Sequence, residues 1–295
     1  MTPAGPPADP GGPPLTNRSV VRDLLTRHGL AADRSFGQNF LVEPAVLEAV
    51  VSAACVSADD TVLEVGPGLG TLTRALSRRA GRVVAVELDA RLLPVLAETL
   101  VGCDNVQVVH ADSLRFDLGS LPDGAVMASN LPYNVATPVI ARVLESTRFA
   151  RLGCLVQLEV AERIVAAPGD PAYGALSLLV AHFERARIVR AVPPGAFVPP
   201  PKVTSAVVAM EVDRAARPRP DLFALVHSGF AHRRKTLKRN LVMAGYEAEA
   251  VDAALAGLGL DPRVRAERLG LAEFGALLEV LGPAPRRPGT RAHPD

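Results

Sequence analysis

Cysteine is scarce in this sequence of 295 residues, which contains only Cys55, Cys103 and Cys154. Three widely spaced cysteines are too few for a disulfide framework or a zinc site, so we expect a protein of a reducing compartment. The six histidines also lack the spacing of metal ligands. We therefore predict no metal site.

A long apolar run is absent as well. The longest stretch without a charged residue, 124–141, has 18 residues and contains two prolines, which excludes a bilayer span. Residues 1–17 form a Pro- and Gly-rich tail that we expect to be disordered, and they lack the apolar segment of a signal peptide. Residues 286–295 are predicted to be a second disordered tail. We expect a monomeric, cytoplasmic protein that does not bind membranes.

The net charge of +1 hides an asymmetry along the chain. Residues 214–295 carry 14 Lys and Arg against 9 Asp and Glu, whereas the rest carries 18 against 22. A basic C-terminal part on a mildly acidic body indicates contact with a polyanion. Only three of the 32 basic residues are lysines, so most cationic side chains are planar, bidentate donors.

Short apolar runs alternate with helical patterns over most of the chain. Runs of this kind are typical of parallel strands buried on both faces, and their alternation with helices predicts a doubly wound, Rossmann-like α/β sheet. The predicted strands are 61–65, 82–88, 105–110, 125–129, 154–160 and 204–212. The predicted domains are an α/β domain over 18–213 and a small all-helical domain over 214–285.

Glycines follow the first of these strands, in the sequence EVGPGLG at residues 64–70. Glycines between a buried strand and a helix let the backbone pass close to a ligand, although a tight βα connection would explain them equally well. Their spacing is G-x-G-x-G, whereas the dinucleotide fingerprint is G-x-G-x-x-G. Thr71 occupies the position of the third glycine of that fingerprint. This spacing disfavours a hydride-transfer enzyme.

Two acids come at the ends of the next two strands. Glu87 ends one strand, where a carboxylate can accept both hydroxyls of a ribose. Asp112 follows the next, where it can accept from an adenine amino group. Either acid alone could be a solvated strand-end residue. Together with the glycine turn they predict an adenosine site.

A fourth strand end carries SNLPYNVATP, residues 129–138. An exocyclic amino nitrogen of a nucleobase is a poor nucleophile, because its lone pair is delocalised into the ring. The Asn130 side-chain oxygen, with the backbone carbonyl of Leu131 or Pro132, could accept its two hydrogens and hold it in line with a methyl donor. Tyr133 offers a stacking face for a base taken out of its helix. The methylated nitrogen loses its proton readily, so no strong general base is required.

A dense basic cluster lies in the predicted helical domain. Its five cations fall within seven residues: Arg233, Arg234, Lys235, Lys238 and Arg239. Such a run is often a solvated helix face, and pairing with Glu247 and Glu249 is an alternative. Beside a nucleobase-modifying motif, we interpret the cluster as a phosphate contact.

The motifs SFGQNFL, EVGPGLG, AVELD, ADSL, NLPYNVATP, VPPGAFVPPPKVTSAVV and RRKTLKRN occur in one order over residues 20–285. In this order they resemble the S-adenosylmethionine-dependent rRNA adenine N6-dimethyltransferases, above all the housekeeping enzymes that dimethylate two adjacent adenosines near the 3′ end of small-subunit (16S) rRNA. The resemblance implies S-adenosylmethionine as cofactor, S-adenosylhomocysteine as product and the small ribosomal subunit as partner. The implied cofactor contacts are Asn39, Leu41, Gly66, Glu87, Asp112 and Asn130. The implied target-adenine loop is Asn130 to Tyr133, with Phe197 as a second stacking partner.

Two other functions stay open at this point. The large-subunit rRNA adenine methylases that confer macrolide resistance share the fold and similar motifs, although FGQNFL, NLPYNVATP and VPPGAFVPPPKV favour the housekeeping form. A mainly non-catalytic assembly factor of the small subunit is the other alternative. The intact sequence Asn130 to Tyr133 argues for a working enzyme.

Overall fold

The computed structural model describes residues 14–30 and 38–283, so most of the two predicted tails and residues 35–37 of SFGQNFL lie outside it. Residues 14–17 are ordered, unlike the predicted tail that includes them. Leu15 is 3% exposed, in an apolar cluster with Val21 and Leu24, and Asn17 caps the first helix by accepting from the Ser19 N–H. The ordered chain therefore begins before residue 18.

Helices and strands alternate as the sequence predicts. The helices in the described residues are α1 (Arg18–Arg27), α2 (Pro44–Ala53), α3 (Thr71–Ser77), α4 (Leu93–Thr99), α5 (Ala136–Glu145), α6 (Leu158–Val165), α7 (Ala175–Phe183), α8 (Pro220–Phe230), α9 (Leu237–Met243), α10 (Ala248–Gly257) and α11 (Leu271–Leu281). The strands are β1 (Phe40–Leu41), β2 (Thr61–Val65), β3 (Arg82–Glu87), β4 (Val106–His110), β5 (Ala125–Asn130), β6 (Phe149–Gln157), β7 (Glu184–Val192), β8 (Phe197–Val198) and β9 (Ser205–Val212). None of these helices is long and apolar enough to cross a membrane.

Seven strands form the main sheet, in the order β4-β3-β2-β5-β6-β9-β7. The five strands from β4 to β6 are parallel, which confirms the predicted Rossmann-like α/β class. Only β9 is reversed, because it runs antiparallel to both β6 and β7, and β7 therefore points in the same direction as β6. The Pro-rich connection from β7 to β9 holds no crossover helix, so the chain reverses direction. β7 is not among the predicted strands, because arginines interrupt the apolar pattern of its sequence.

One predicted strand had the wrong bounds. Sequence analysis placed it at 154–160, whereas β6 covers Phe149–Gln157 and residues from Leu158 onwards are helical. The first half of β6 contains Arg151 and is preceded by Arg148, and these two arginines weakened the apolar signal there. Pairing with β5 and β9 on its two sides makes this segment a strand in spite of them.

The short strands β1 and β8 form a separate antiparallel pair, in which Phe40 lies opposite Val198 and Leu41 opposite Phe197. The Phe40 ring and Val198 lie in the apolar cluster of α1, which also includes Leu69 from the glycine turn. The pairing therefore holds residues 38–41 beside the turn that follows β2.

Contacts divide the chain into two units. The first comprises residues up to Glu162 together with Phe183–Ala216, and the second comprises Arg163–His182 together with residues from Arg217 onwards. The later division falls close to the predicted boundary at 213, but the assignment of 163–182 to the α/β domain differs. In the second unit the Tyr173 ring packs edge-on against Phe230, and its hydroxyl donates to the Leu269 carbonyl at 2.9 Å. These tertiary contacts carry no local sequence signal.

Gly153 in β6 lies directly beneath α2. A Cβ atom there would lie 2.6 Å from both the Val50 carbonyl oxygen and the Ala54 nitrogen, which are backbone atoms of the helix and its end. We expect Gly153→Ala to lower the free energy of unfolding by about 1–3 kcal/mol, as overpacking does. Gly195→Ala is the matched control, because nothing lies within 4 Å of its added Cβ. Urea unfolding of both variants checks this, and equal stabilities would contradict it.

Candidate active site

A cleft opens at the carboxyl ends of β2, β3, β4 and β5. It holds about 1020 Å³ of empty space, including the part that opens to solvent. Parallel pairing places Val65 beside Val86 and Glu87 beside His110, so these strands end at the same edge of the sheet. The glycine turn, the two predicted acids and the loop after β5 therefore line one cleft.

The glycine turn requires glycine at two positions. Gly66 and Gly68 have φ angles of +70° and +60°, which side chains disfavour. A Cβ at Gly66 would lie 3.0 Å from the Pro132 side chain, and one at Gly68 would lie 3.1 Å from the Phe40 ring. The turn thus passes closely between the loop after β5 and the segment around β1.

Glu87 is 6% exposed and is held by the turns on either side of it. One carboxylate oxygen accepts from the Gly68 N–H at 3.2 Å, and the other accepts from the Asp89 N–H at 2.8 Å. Burial raises the pKa of Glu87, and these backbone hydrogen bonds oppose the rise. A carboxylate has about four acceptor positions, so both oxygens can also accept from a ligand.

Asp112 is half-buried in the loop that follows β4. Its Oδ1 accepts from the Leu114 N–H at 2.8 Å, which fixes the carboxylate. Its Oδ2 lies 3.9 Å from the Arg115 guanidinium, whose side chain is 89% exposed, so this ion pair is weak. The second oxygen is therefore open to a ligand in the cleft.

Asn130 ends β5 and faces the segment before β1. Its Nδ2 donates to the Asn39 carbonyl at 3.3 Å, so the amide oxygen is directed to the other side. Asn39 and Leu41 both line the cleft, and the Leu41 side chain is itself buried. The structure thus brings the predicted residues Asn39, Leu41 and Asn130 together, although Asn39 and Asn130 are 91 residues apart in the chain.

The loop from Asn130 to Tyr133 is anchored at three points. The buried Leu131 donates its N–H to the Leu155 carbonyl at 3.0 Å, and the Pro132 carbonyl accepts from the Val135 N–H at 3.1 Å. The Tyr133 hydroxyl and the buried Ser205 hydroxyl share a hydrogen bond of 2.6 Å. These bonds hold the loop in one conformation against the glycine turn.

Phe197 does not reach the cleft. Its side chain is 0% exposed, in the core cluster that contains Leu41, Val46 and Val207. Its pairing with Leu41 between β8 and β1 fixes this position. The buried ring does not line the cleft, so the stacking of Phe197 on a base stays a prediction.

Glu64 is a cleft residue that sequence analysis overlooked. It is 1% exposed, and its Oε2 has no hydrogen-bond partner among the described residues. Burial, together with the nearby Glu87, raises the pKa of Glu64 to about 8. A carboxyl group inside the apolar run TVLEV was the available signal, because buried strands rarely carry an unpaired acid.

The predicted basic cluster lies in the second unit. Arg233 donates to the Pro171 carbonyl, Lys235 contacts the Met243 sulfur, and Lys238 forms an ion pair with Asp252 at 2.6 Å. Arg234 and Arg239 are exposed and form no ion pair within the described part of the chain. The alternative pairing with Glu247 and Glu249 is not found among these residues.

The described residues include no group of three or more His, Cys, Asp or Glu side chains that could hold a metal ion. The sheet order and the position of the cleft define the class, a Rossmann-like methyltransferase.

Comparison with known proteins then identifies the family. Residues 29–281 match the family model of ribosomal RNA adenine dimethylase, and the chain belongs to this family. Ribosomal RNA small subunit methyltransferase A of Deinococcus radiodurans is 46% identical over 279 residues, 94% of this chain and 95% of the relative. The protein of the same name from Geobacillus thermodenitrificans is 40% identical over 89% of this chain and 95% of the relative.

Two solved structures are similar over most of the chain. A dimethyladenosine transferase from Plasmodium falciparum has a TM-score of 0.69 and 26% identity, over 81% of this chain and 96% of that one. The 23S rRNA methyltransferase ErmE has a TM-score of 0.62 and 27% identity, over 82% of this chain and 99% of that one. The protein is thus an enzyme of the rRNA adenine dimethylase family.

The raised pKa of Glu64 makes stability depend on pH. Its ordinary pKa is 4.5, so between pH 4.5 and about 8 the native state keeps a proton that the unfolded chain has lost. The free energy of unfolding should therefore fall as pH rises through this window, by at most about 1.4 kcal/mol per pH unit. Glu64→Gln cannot titrate, and its stability relative to wild type should increase from pH 5 to pH 8.

Denaturant unfolding at several pH values measures this difference. The matched control is Glu48→Gln, because the exposed Glu48 has its pKa lowered by Arg79 and titrates below the window. A difference between Glu64→Gln and wild type that stays constant from pH 5 to pH 8 would show that Glu64 is already ionised in the native state.

Proposed function

We propose that this protein dimethylates the N6 amino groups of two adjacent adenosines near the 3′ end of small-subunit (16S) rRNA, with S-adenosylmethionine as methyl donor. The observation that carries the proposal is the close approach of the predicted target-adenine loop to the predicted cofactor site at the glycine turn. The target-adenine loop reaches the glycine turn, where Pro132 lies 3.0 Å from the place of a Cβ at Gly66. A methyl donor bound at the glycine turn would therefore lie next to an adenine bound by the loop.

The residues of the cleft fit S-adenosylmethionine. Gly66 and Gly68 leave no side chain over the turn, and Glu87 and Asp112 supply acceptors for ribose hydroxyls and an adenine amino group. A cationic group would stabilise the ionised form of the buried Glu64 carboxyl, one oxygen of which has no partner among the described residues. The cofactor, when bound, supplies a methyl group activated by its sulfonium. The proposed contacts are Asn39, Leu41, Gly66, Glu87, Asp112 and Asn130.

The loop supplies acceptors for the target amino group. The Asn130 amide is oriented by the Asn39 carbonyl, so its oxygen can accept one hydrogen. The Leu131 carbonyl is the better second acceptor, because the Pro132 carbonyl already accepts from Val135. Two such acceptors orient the nitrogen lone pair toward the methyl donor. The nitrogen then releases its proton, for which the loop needs no base.

Tyr133 is the proposed stacking surface for the flipped base. Its hydroxyl is tied to Ser205, so the ring is fixed at one end while the side chain remains half-buried at the cleft. A preorganised ring loses little freedom when a base stacks on it. Phe197, whose side chain is buried in the core, is the second stacking partner that the family resemblance predicts.

The choice of the small subunit rests on the relatives rather than on the fold. The two relatives at 46% and 40% identity carry the small-subunit name. The structure of ErmE, named for 23S rRNA, is similar at a lower identity of 27%. Action on a ribosomal subunit also implies a cytoplasmic protein, and we propose that it works as a monomer whose helical unit holds rRNA.

Mapping of methylated adenosines tests the proposal directly. Unmethylated small and large subunits are each incubated with the protein and labelled S-adenosylmethionine, and the rRNA is digested and analysed by mass spectrometry. We expect two adjacent dimethyladenosines near the 3′ end of 16S rRNA. Methylation of 23S rRNA would favour the macrolide-resistance activity, and subunit binding without methylation would favour an assembly factor.

Asn130→Ala removes the amide oxygen proposed to accept from the target amino group. We expect single-turnover methyl transfer to fall by about two orders of magnitude, the scale for loss of one preorganised polar group. RNA affinity should change little, because phosphate contacts dominate it. The control is Gln107→Ala, since this exposed amide on β4 contacts Arg82 and does not line the cleft. A near-normal rate for Asn130→Ala would rule out the proposed role.

The basic cluster is proposed to anchor rRNA, and its members should differ in effect. Arg234→Gln should flatten the dependence of subunit affinity on salt by about 0.7–0.9 in log–log slope, the change for one phosphate contact. Lys238→Gln should flatten it less, because Asp252 already neutralises this lysine. Reversal of Arg234, Lys235 and Lys238 to Glu should abolish binding and leave cofactor affinity intact. Filter binding across salt concentrations measures all three, and unchanged slopes in folded variants would contradict anchoring.

A further inference from the structure

Three arginines lie on β7, the edge strand of the main sheet in the first unit. Arg185, Arg187 and Arg190 are all exposed. β7 pairs only with β9 in the described sheet. We call these three residues the arginine row.

The register of β7 places the three side chains on one face. Arg185 lies opposite Glu211 and Arg187 opposite Ala209, two residues apart on each strand. The register then shifts between Ile188 and Arg190, so that Arg190 lies opposite Val207. Arg187 and Arg190 are three residues apart, so in a regular strand their side chains would point to opposite faces of the sheet. The irregularity places them on the same face. The bulge therefore adds a third arginine to the row.

The surroundings leave the row with excess positive charge. On the same face, Glu211 lies on β9, and Arg151 on β6 pairs with Asp60 at 2.8 Å. Beside α2, Arg190 donates to the Ala45 carbonyl at 3.3 Å. The row itself forms no ion pair among the described residues. Four guanidinium groups thus face two carboxylates.

The row starts near the proposed target loop. Val192, at the end of β7, lies opposite Ser205, whose hydroxyl bonds to Tyr133. Arg190 lies opposite Val207, which is two residues from Ser205 along β9. Arg185 lies opposite Glu211, which is six residues from Ser205. At 3.3 Å per residue, the row extends from about 7 Å to about 20 Å away from Ser205.

We propose that the arginine row binds the phosphates of RNA that flanks the target adenosine, a second anchor besides the basic cluster of the helical unit. The inference rests on the proposed function, because it takes Tyr133 as the point where the base enters. A guanidinium presents a planar fork that binds phosphate through two hydrogen bonds, and arginine is the residue present at all three positions.

A purely structural role is the competing explanation. Charged side chains on an edge strand prevent pairing with the edge of another molecule. Such a role would require charge on β7 but no contact with RNA. The two explanations therefore differ in whether loss of the arginines changes RNA binding or only self-association.

The test is a triple variant, Arg185→Gln, Arg187→Gln and Arg190→Gln, in the full chain. Its binding to unmethylated small ribosomal subunits is measured by filter binding across salt concentrations. The log–log slope should flatten by about 2, because three phosphate contacts are lost at about 0.7–0.9 each. The matched control replaces Arg79, Arg82 and Arg148 by Gln, which removes the same charge near the amino ends of the parallel strands. Its slope should stay within about 0.5 of wild type.

The outcomes separate this inference from the proposed function. An unchanged slope in the folded triple variant overturns the inference, even if the wild type methylates 16S rRNA normally. A flattened slope supports it, even if the wild type modifies another rRNA site. Should the triple variant self-associate, the single variants Arg185→Gln and Arg187→Gln carry the same test, each with a slope change of about 0.7–0.9. Self-association with unchanged single-variant slopes would leave edge protection as the only role.

Discussion

The cleft depends on parallel backbone pairing among β2, β3, β4 and β5. Their shared direction ends all four strands at one edge, so loops that are far apart in sequence meet there. A slip of one residue would turn every side chain of a strand to the other face. Apolar residues are buried on both faces, such as Val62 and Leu63 at 0% and 1% exposure, and their close packing resists such a slip. Core packing in this way maintains the geometry of the polar cleft.

Two acidic side chains are buried in this cleft at a cost in stability. Desolvation raises the pKa of both Glu64 and Glu87, and the nearby Glu87 raises that of Glu64 further. Backbone N–H groups satisfy Glu87, whereas one oxygen of Glu64 has no partner in the described chain. A site that is partly unsatisfied in isolation can gain its missing interactions from a cationic ligand. A cationic ligand would therefore stabilise the ionised form of Glu64.

The strands beyond β5 in the main sheet support the loop of the cleft. β6 and β9 supply Leu155 and Ser205, which hold the loop of Leu131 and Tyr133. β9 then pairs with β7, so the same strands link the loop to the arginine row. One continuous sheet thus supports both the loop of the cleft and the arginine row. The helical unit adds a separate basic surface.

The sequence by itself determined the fold class and most of the cleft. Apolar runs marked the buried strands, and the residues that follow them, Gly66, Glu87 and Asp112, were predictable because parallel strands end at one edge. Tertiary structure alone decided the rest. Phe197 is buried by its pairing with Leu41, β7 is a strand because β9 pairs with it, and residues 163–182 join the helical unit through Tyr173. Each of these outcomes depends on a partner distant in the chain, and local sequence patterns carry no information about such partners.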